Sequence, residues 1–478
     1  MTRSGASHGA RGAPSGDSKV AGTPADPRRV AYEVLRAVSE RDAYANLTLP
    51  GLLRQRGVTG QEAALATELC YGTLRSLGTL DAILAAASSR PLSRIQLPVL
   101  DALRLGAYQL LFTRVPAHAA VSTTVSLVRA DRGQRAAGFG NAVLRRVAAQ
   151  ELSGWLTRLA PDDEVARLAL TYAHPQWVVR AFADALGVGV ADPELAAALA
   201  ADNERPGVHL VALPGRIERD ELAEQVGGEP GRYSPYAVRL PAGDPADLPA
   251  IGQRLAGVQD EGSQLVGLAT ATAPIAGEDT RWLDLCAGPG GKAALLGALA
   301  AQRGAAVTAV EVAPHRTRLV RSATEGLPVR VLTADGREVG SHPDLPERGF
   351  DRVLVDAPCT GLGALRRRPE SRWRRTPEDL RSVTALQREL LAAAVRAARP
   401  GGLVGYVTCS PHVAETTACV ADTRRDCGVA TELIDATQVL DEVAENAVEL
   451  PAGPMAQLWP HRHGTDAMFV ALLRRNDT

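Results

Sequence analysis

Leu283-Asp-Leu-Cys286-Ala-Gly-Pro-Gly-Gly-Lys292 reads as an apolar strand running into a glycine-rich turn and then a helix. Glycines let a ligand approach the backbone and leave N–H groups free to face it. Three ligands compete for such a turn. A phosphate-binding loop for ATP needs Ser or Thr after the Gly-Lys pair and a Gly five places before it, where this chain has Ala293 and Cys286, so it fails twice. A dinucleotide site fits loosely through Gly288, Gly290 and Ala293, with Glu311 about twenty residues on to bind ribose hydroxyls. S-adenosylmethionine asks for the same turn and the same acidic residue. The turn and Glu311 do not choose between these last two.

Outward from the turn, strands and helices alternate. Strands are predicted over 282–286, 306–312, 329–333, 351–356, 402–409 and 467–473, with helices over 292–302, 315–325 and 377–398. This alternation predicts a parallel, doubly wound α/β sheet with its ligands at the carboxyl ends of the strands. Two of those ends carry thiols, in Asp356-Ala-Pro-Cys359 and in Tyr406-Val-Thr-Cys409. Hydride transfer has no use for two thiols beside its cofactor. Methylation of a pyrimidine at C5 does, because C5 is a poor nucleophile until a thiolate adds at C6. The remaining cysteines Cys70, Cys419 and Cys427 read as small buried hydrophobes. No Cys-x-x-Cys pair or His cluster stands at metal-ligand spacing, so no metal is expected.

The set Gln259-Asp-Glu-Gly-Ser-Gln264, Cys286-Ala-Gly-Pro-Gly-Gly-Lys292, Asp356-Ala-Pro-Cys359 and Thr408-Cys409-Ser resembles the RNA cytosine-C5 methyltransferases of the NOL/NOP2/Sun family, over roughly residues 255 to 475. The helical segments with Ala43-Tyr-Ala-Asn-Leu47 and Phe139-Gly-Asn-Ala-Val-Leu-Arg-Arg146 are similar to the NusB-like RNA-binding domain. Together they point to the bacterial enzymes that methylate a cytosine of small-subunit (16S) ribosomal RNA. The resemblance implies a Rossmann-like methyltransferase domain using S-adenosyl-L-methionine, with Cys409 as nucleophile and Cys359 assisting product release. It further implies that Cys286, Ala287, Gly288, Pro289, Gly290, Gly291 and Lys292 line the cofactor pocket, that Glu311 binds the ribose, and that Asp335 sits at the adenine end. Asp356 would border the cofactor and hold the cytosine edge. Gly288 stands where many members have Ala, and Pro411-His412 is an unusual sequel to the Cys409 motif.

The rest of the 478 residues divides into a tail over 1–26, an all-α NusB-like domain over 27–150, a small α+β module over 151–255 that serves as RNA-binding linker, and the methyltransferase domain over 256–478. The net charge of -1 hides a basic first third: 19 Lys and Arg against 10 Asp and Glu up to residue 150. That balance would attract RNA with strong salt dependence. All but two of the 53 cationic side chains are arginine; Lys292, in the glycine-rich turn, is one exception. Arg366-Arg-Arg-Pro-Glu-Ser-Arg-Trp-Arg-Arg375, following Cys359, reads as an RNA contact in which Trp373 stacks or packs. Every apolar run is cut by charge, so a cytoplasmic monomer with no membrane contact is expected. Methylation of another RNA such as tRNA, an inactive RNA-binding or antitermination protein, and an NAD-dependent dehydrogenase are the alternatives.

Overall fold

The computed structural model describes residues 26–476, so the amino-terminal tail lies outside the described residues. The first domain is all helix, as its 3.6-residue apolar spacing predicts. Six helices, Pro27–Arg41, Ala45–Arg56, Gly60–Arg75, Leu77–Ala87, Leu97–Phe112 and Ala117–Val147, surround a core containing Val30, Leu69, Ile83, Leu103 and Leu144. Each such side chain contributes about 1.5–3 kcal/mol when fully buried. The sequence suggests two helices where Ala117–Val147 runs; they are joined across a kink at Gly133, whose φ of 78° no β-substituted residue adopts readily. Trp155, on the helix Leu152–Leu159, also packs into this core, so the helical packing continues past residue 150.

The connecting module holds short helices and a four-stranded antiparallel sheet built from β1 (Val208–Ala212), β2 (Glu229–Pro230), β3 (Ala237–Leu240) and β4 (Ala256–Val258), in the order β2-β3-β1-β4. β4 lies beyond the expected boundary at 255 because its partner is β1, a pairing decided at long range.

The third domain is an eight-stranded sheet of β5 (Arg281–Asp284), β6 (Ala306–Val310), β7 (Val329–Leu332), β8 (Phe350–Asp356), β9 (Ala398–Thr408), β10 (Thr431–Ile434), β11 (Met455–Gln457) and β12 (Phe469–Arg475). Its order is β10-β12-β9-β8-β5-β6-β7, with β11 also on β12. Strands β5 to β9 are parallel, as expected, but β12 inserts antiparallel beside β9 and carries β10 and β11 antiparallel in turn, so the sheet is mixed and not wholly parallel. An antiparallel strand needs no crossover helix, which is why short β10 and β11 left no alternating pattern to read. The chain leaves β5 in one direction for β6 and β7 and returns on the other side through β8 and β9. The crevice at the carboxyl ends of β5 and β8 is therefore the topological switch point. Among the described residues no helix is long and apolar enough to cross a membrane and no cluster of side chains is set to hold a metal.

Candidate active site

Sheet register brings the two thiols together. β8 and β9 pair in parallel with Asp356 opposite Val407, so Cys359 and Cys409 leave adjacent strand ends within a few residues of that pair. Their sulfurs lie 3.3 Å apart. Gly363, whose N–H donates to the Cys409 carbonyl at 2.9 Å, must lack a side chain, because a Cβ there would stand 2.2 Å from the Ala467 carbonyl oxygen.

Beside them, Lys292 donates to the Asp356 carboxylate at 2.8 Å. Burial pulls the Lys292 ammonium down, but the charge and hydrogen bond of Asp356, followed by the charge of Cys409, hold it above its ordinary value. The Cys359 thiol is pushed well up by its hydrogen bond to Cys409, by burial, and by the charges of Cys409, Glu415 and Asp356. A cation thus stands beside Cys409 while the carboxylates of Glu415 and Asp356 face Cys359 and help to keep its proton in place before any adduct forms. The Cys286 thiol is also pushed well up, by burial and then by Asp284, so it belongs to the turn and not to the reactive pair.

The glycine-rich turn follows β5 and its sharp bend is held by Asp284, which is fully buried and accepts weakly from Cys286 N–H at 3.3 Å. The second oxygen of Asp284 is buried without a hydrogen-bond partner among the described residues. Its carboxyl is pushed up from 3.8 to about 7, first by burial and then by the neighbouring charge of Asp356. The folded protein therefore keeps a proton that the unfolded chain has lost between those values. The stability associated with that proton is fully present below about pH 4 and is lost as pH rises through about 7. Asp284→Asn is expected to flatten the pH dependence of urea-unfolding midpoints across this window; an unchanged slope would show that another group carries it.

Glu311, at the end of β6, is buried and accepts from Ala313 N–H at 2.9 Å. Arg316 pairs with it at 3.3 Å and also donates to the Gly288 carbonyl at 2.5 Å. A Cβ on Gly288 would stand 2.0 Å from a Glu311 oxygen, so glycine at this position admits the close approach of Glu311 to the turn. Gly336 packs against Leu285 and sets the next loop against the same turn, while both oxygens of Asp335 accept from Arg337. Glu311, Asp356 and the turn thus meet in one crevice, whereas the Asp335 carboxylate is occupied by its own neighbour.

Two groups escaped the sequence reading. Asp284 offered a signal, an acidic residue closing an apolar strand before the turn. Glu415 offered none. It is fully buried and accepts from Thr360 N–H at 2.7 Å, from the Thr360 hydroxyl at 2.5 Å, from the Ser410 hydroxyl at 2.5 Å and from Gln387 at 3.1 Å. Thr360 follows Cys359 and Ser410 follows Cys409, so one carboxylate ties together both thiol-bearing loops. His412 positions it by accepting from Ala414 N–H at 3.1 Å, which starts the turn Val413–Glu415. Glu415→Ala removes an acceptor shared by four buried donors, leaving Thr360 N–H without a partner, and is expected to cost on the order of 3 kcal/mol. Chemical denaturation measures this, with Glu415→Gln intermediate.

The basic segment after Cys359 departs from its expected role. Arg366 and Arg372 are buried, and Arg367 forks onto Asp466 and reaches Asp260 at 2.6 Å. Arg372 donates to the carbonyls of Arg75, Ala173 and Asp202 and to the Asn203 side chain. Arg374 donates to the carbonyls of Val38 and Ala43, and Trp373 packs on Gly78. These arginines hold the three domains together; of the six, Arg368 is the one left exposed, with its guanidinium over the Tyr44 ring.

Residues 270–474 match the 16S rRNA methyltransferase RsmB/F family and residues 25–149 match the NusB family. The ribosomal RNA small subunit methyltransferase B of Cronobacter sakazakii is 35% identical over 391 residues, covering 80% of this chain and 86% of that protein. The chain belongs to this methyltransferase family. Its likeness to Rv1407 of Mycobacterium tuberculosis, a protein named as a methyltransferase, is greater still, at 57% identity over 95% of this chain and 97% of that one. In fold it matches the crystal structure of PH0851 with a TM-score of 0.77 and 20% identity, covering 95% of this chain and 99% of that one. NSun6 from Pyrococcus horikoshii, solved with SFG, matches with a TM-score of 0.52 and 17% identity over 63% of this chain and 98% of that one. In this chain the NusB match precedes the methyltransferase match, and the methyltransferase domain carries the mixed sheet.

Proposed function

We propose that this protein transfers a methyl group from S-adenosyl-L-methionine to C5 of a cytosine in 16S ribosomal RNA. The observation that carries the reading is the 3.3 Å pair of thiols at adjacent strand ends, beside a lysine and opening onto the glycine-rich turn. One thiol would serve a nucleophile; a second beside it suits the reversal of its addition.

The residues present fit the cofactor. Gly288 lets Glu311 close on the turn, Glu311 offers a carboxylate for ribose hydroxyls, and one oxygen of Asp284 is buried behind the turn without a hydrogen-bond partner among the described residues. When bound, the cofactor supplies an electrophilic methyl group. Lys292 and Asp356 then hold the cytosine edge, and the Cys409 sulfur forms a bond to C6, which makes C5 a nucleophile. After C5 has taken the methyl group it must lose its proton, and the C6–sulfur bond breaks to return the Cys409 thiolate. Once the Cys409 sulfur is bonded to C6, its charge no longer holds the proton on Cys359; that proton passes to solvent, and the Cys359 thiolate, 3.3 Å away, takes the proton from C5. Because a paired base hides C5 and C6 in its stack, the target is single-stranded or flipped out.

Bisulfite sequencing of 16S rRNA from a deletion strain tests the reading: one cytosine that resists conversion in the parent should convert in the deletion and resist again on complementation. No change at any cytosine would overturn it. Glu311→Ala should weaken cofactor binding about tenfold or more, the cost of a charge-assisted hydrogen bond, as read by calorimetry.

A further inference from the structure

A second polar cavity, of about 270 Å3, lies on the seam between the helical domain and the connecting module, away from the thiols. Arg75 and Arg205 line it from opposite sides of that seam, together with Ser76, Asn203 and Glu68. Arg75 is 7% exposed, yet its Nε has no hydrogen-bond partner, and among the described residues no carboxylate stands within 4.0 Å of its guanidinium. What compensation it receives comes from the charge of Glu68, beyond ion-pair distance, and from the face of Tyr71, with the guanidinium 5.6 Å from the ring centre. Glu68, the one acid in the lining, accepts from the Tyr108 hydroxyl at 2.5 Å and makes no ion pair with Arg75.

A buried cation without a partner costs several kcal/mol, and folded proteins pair it or bring it an anion. Here the charge is compounded. Arg372 is fully buried behind the cavity, donates to the Arg75 carbonyl at 3.2 Å and to Asn203 at 2.9 Å, and also lacks an ion pair. Burial pulls both guanidiniums below their ordinary values, Arg75 helps to depress Arg372 and Arg205 helps to depress Arg75. Two guanidiniums therefore line a space with one carboxylate, a third is buried behind it, and Arg75 and Arg372 are pre-set in place by the packing of separate domains. Planar guanidinium forks match the oxygens of a phosphoryl group and bind it through paired hydrogen bonds.

We propose that this cavity is a binding site for a phosphoryl oxyanion, held by Arg75 and Arg205 with Ser76 and Asn203 as neutral donors. The group is either free phosphate or a phosphate of the RNA strand, and only the latter source rests on the function proposed above. Arg75 is the buried anchor, and Arg205, which is exposed, is the rim residue that captures the anion.

Calorimetry and melting of the full-length protein test this with sodium phosphate at constant ionic strength, and filter binding tests it with a 16S rRNA fragment. Arg205→Gln is the deciding variant, because an exposed residue can be changed without disturbing the core; Arg75→Gln is the second. If free phosphate is the ligand, it raises the melting temperature of the wild type and both variants lose about tenfold in phosphate affinity. If an RNA phosphate is the ligand, Arg205→Gln loses about tenfold in RNA affinity and the salt slope falls by about one, with phosphate itself without effect. Equal affinity of wild type and Arg205→Gln for both ligands overturns the proposal. Affinity for S-adenosylmethionine, measured on the same samples, reports on the methyltransferase reading separately.

Discussion

Cys409→Ala abolishes methyl transfer, with an expected loss on the order of 10⁴-fold or more, and leaves no covalent complex with RNA. The loss is this large because, in the proposed mechanism, alanine removes the atom that bonds to C6, and no neighbouring group replaces it: Cys359 is the nearby alternative, and burial and the carboxylates Glu415 and Asp356 hold its proton in place. Cys359→Ala behaves differently. Addition at C6 and methyl transfer proceed through the intact Cys409, but the step that removes the C5 proton loses its partner at 3.3 Å. Methylated RNA then stays attached through Cys409 and migrates as a slow band on a denaturing gel. A trapped band in Cys409→Ala and none in Cys359→Ala would reverse the two roles and refute the assignment.

Arg372→Ala is expected to destabilise the protein by about 3 kcal/mol or more and to lower the cooperativity of its unfolding, read by denaturant melting with one probe in each domain. The side chain is fully buried, and its guanidinium bridges acceptors on residues 75, 173, 202 and 203. Alanine leaves these acceptors unpaired and opens a void between domains. Lysine does not rescue it, because a single ammonium cannot reach acceptors arrayed around a planar fork. The same seam bears on a protein shortened to begin after residue 150, which is expected to methylate RNA poorly. Such a chain loses the partners of Arg374, of Trp373 and of Glu370, which accepts from Ala45 N–H at 3.1 Å. Its poor methylation would then reflect a loosened segment directly after Cys359 as well as lost RNA binding. Separate measurements of cofactor affinity and RNA affinity on the shortened chain distinguish the two.

The candidate site was legible in the sequence wherever its chemistry is local. The glycine-rich turn, the Pro-Cys and Thr-Cys strand ends and Glu311 each sit where an apolar strand runs out, and short-range pattern is enough to place a strand end. Glu415 was not legible, since its partners Thr360 and Gln387 are 55 and 28 residues away and nothing in a lone buried glutamate marks it. The arginine segment misled for a related reason. A run of charge looks the same in sequence whether it meets water, phosphate or carbonyl groups.

By itself the sequence determined the elements and where the thiols stand on them: a helical first domain from its apolar period, a strand, glycine-rich turn and helix around Cys286–Lys292, and two thiols at the carboxyl ends of strands. The tertiary structure alone decided which ends are neighbours. Parallel pairing of β8 with β9 converts thiols 50 residues apart into a pair in contact. Packing of three domains turns arginines at 366, 367, 372 and 374 from a basic loop into internal braces, and leaves Arg75 buried without a counterion. Burial, strand neighbourhood and the choice of hydrogen-bond partner are properties of contacts between residues distant along the chain, and their free energies depend on a local dielectric and geometry that exist only once the domains have closed on one another.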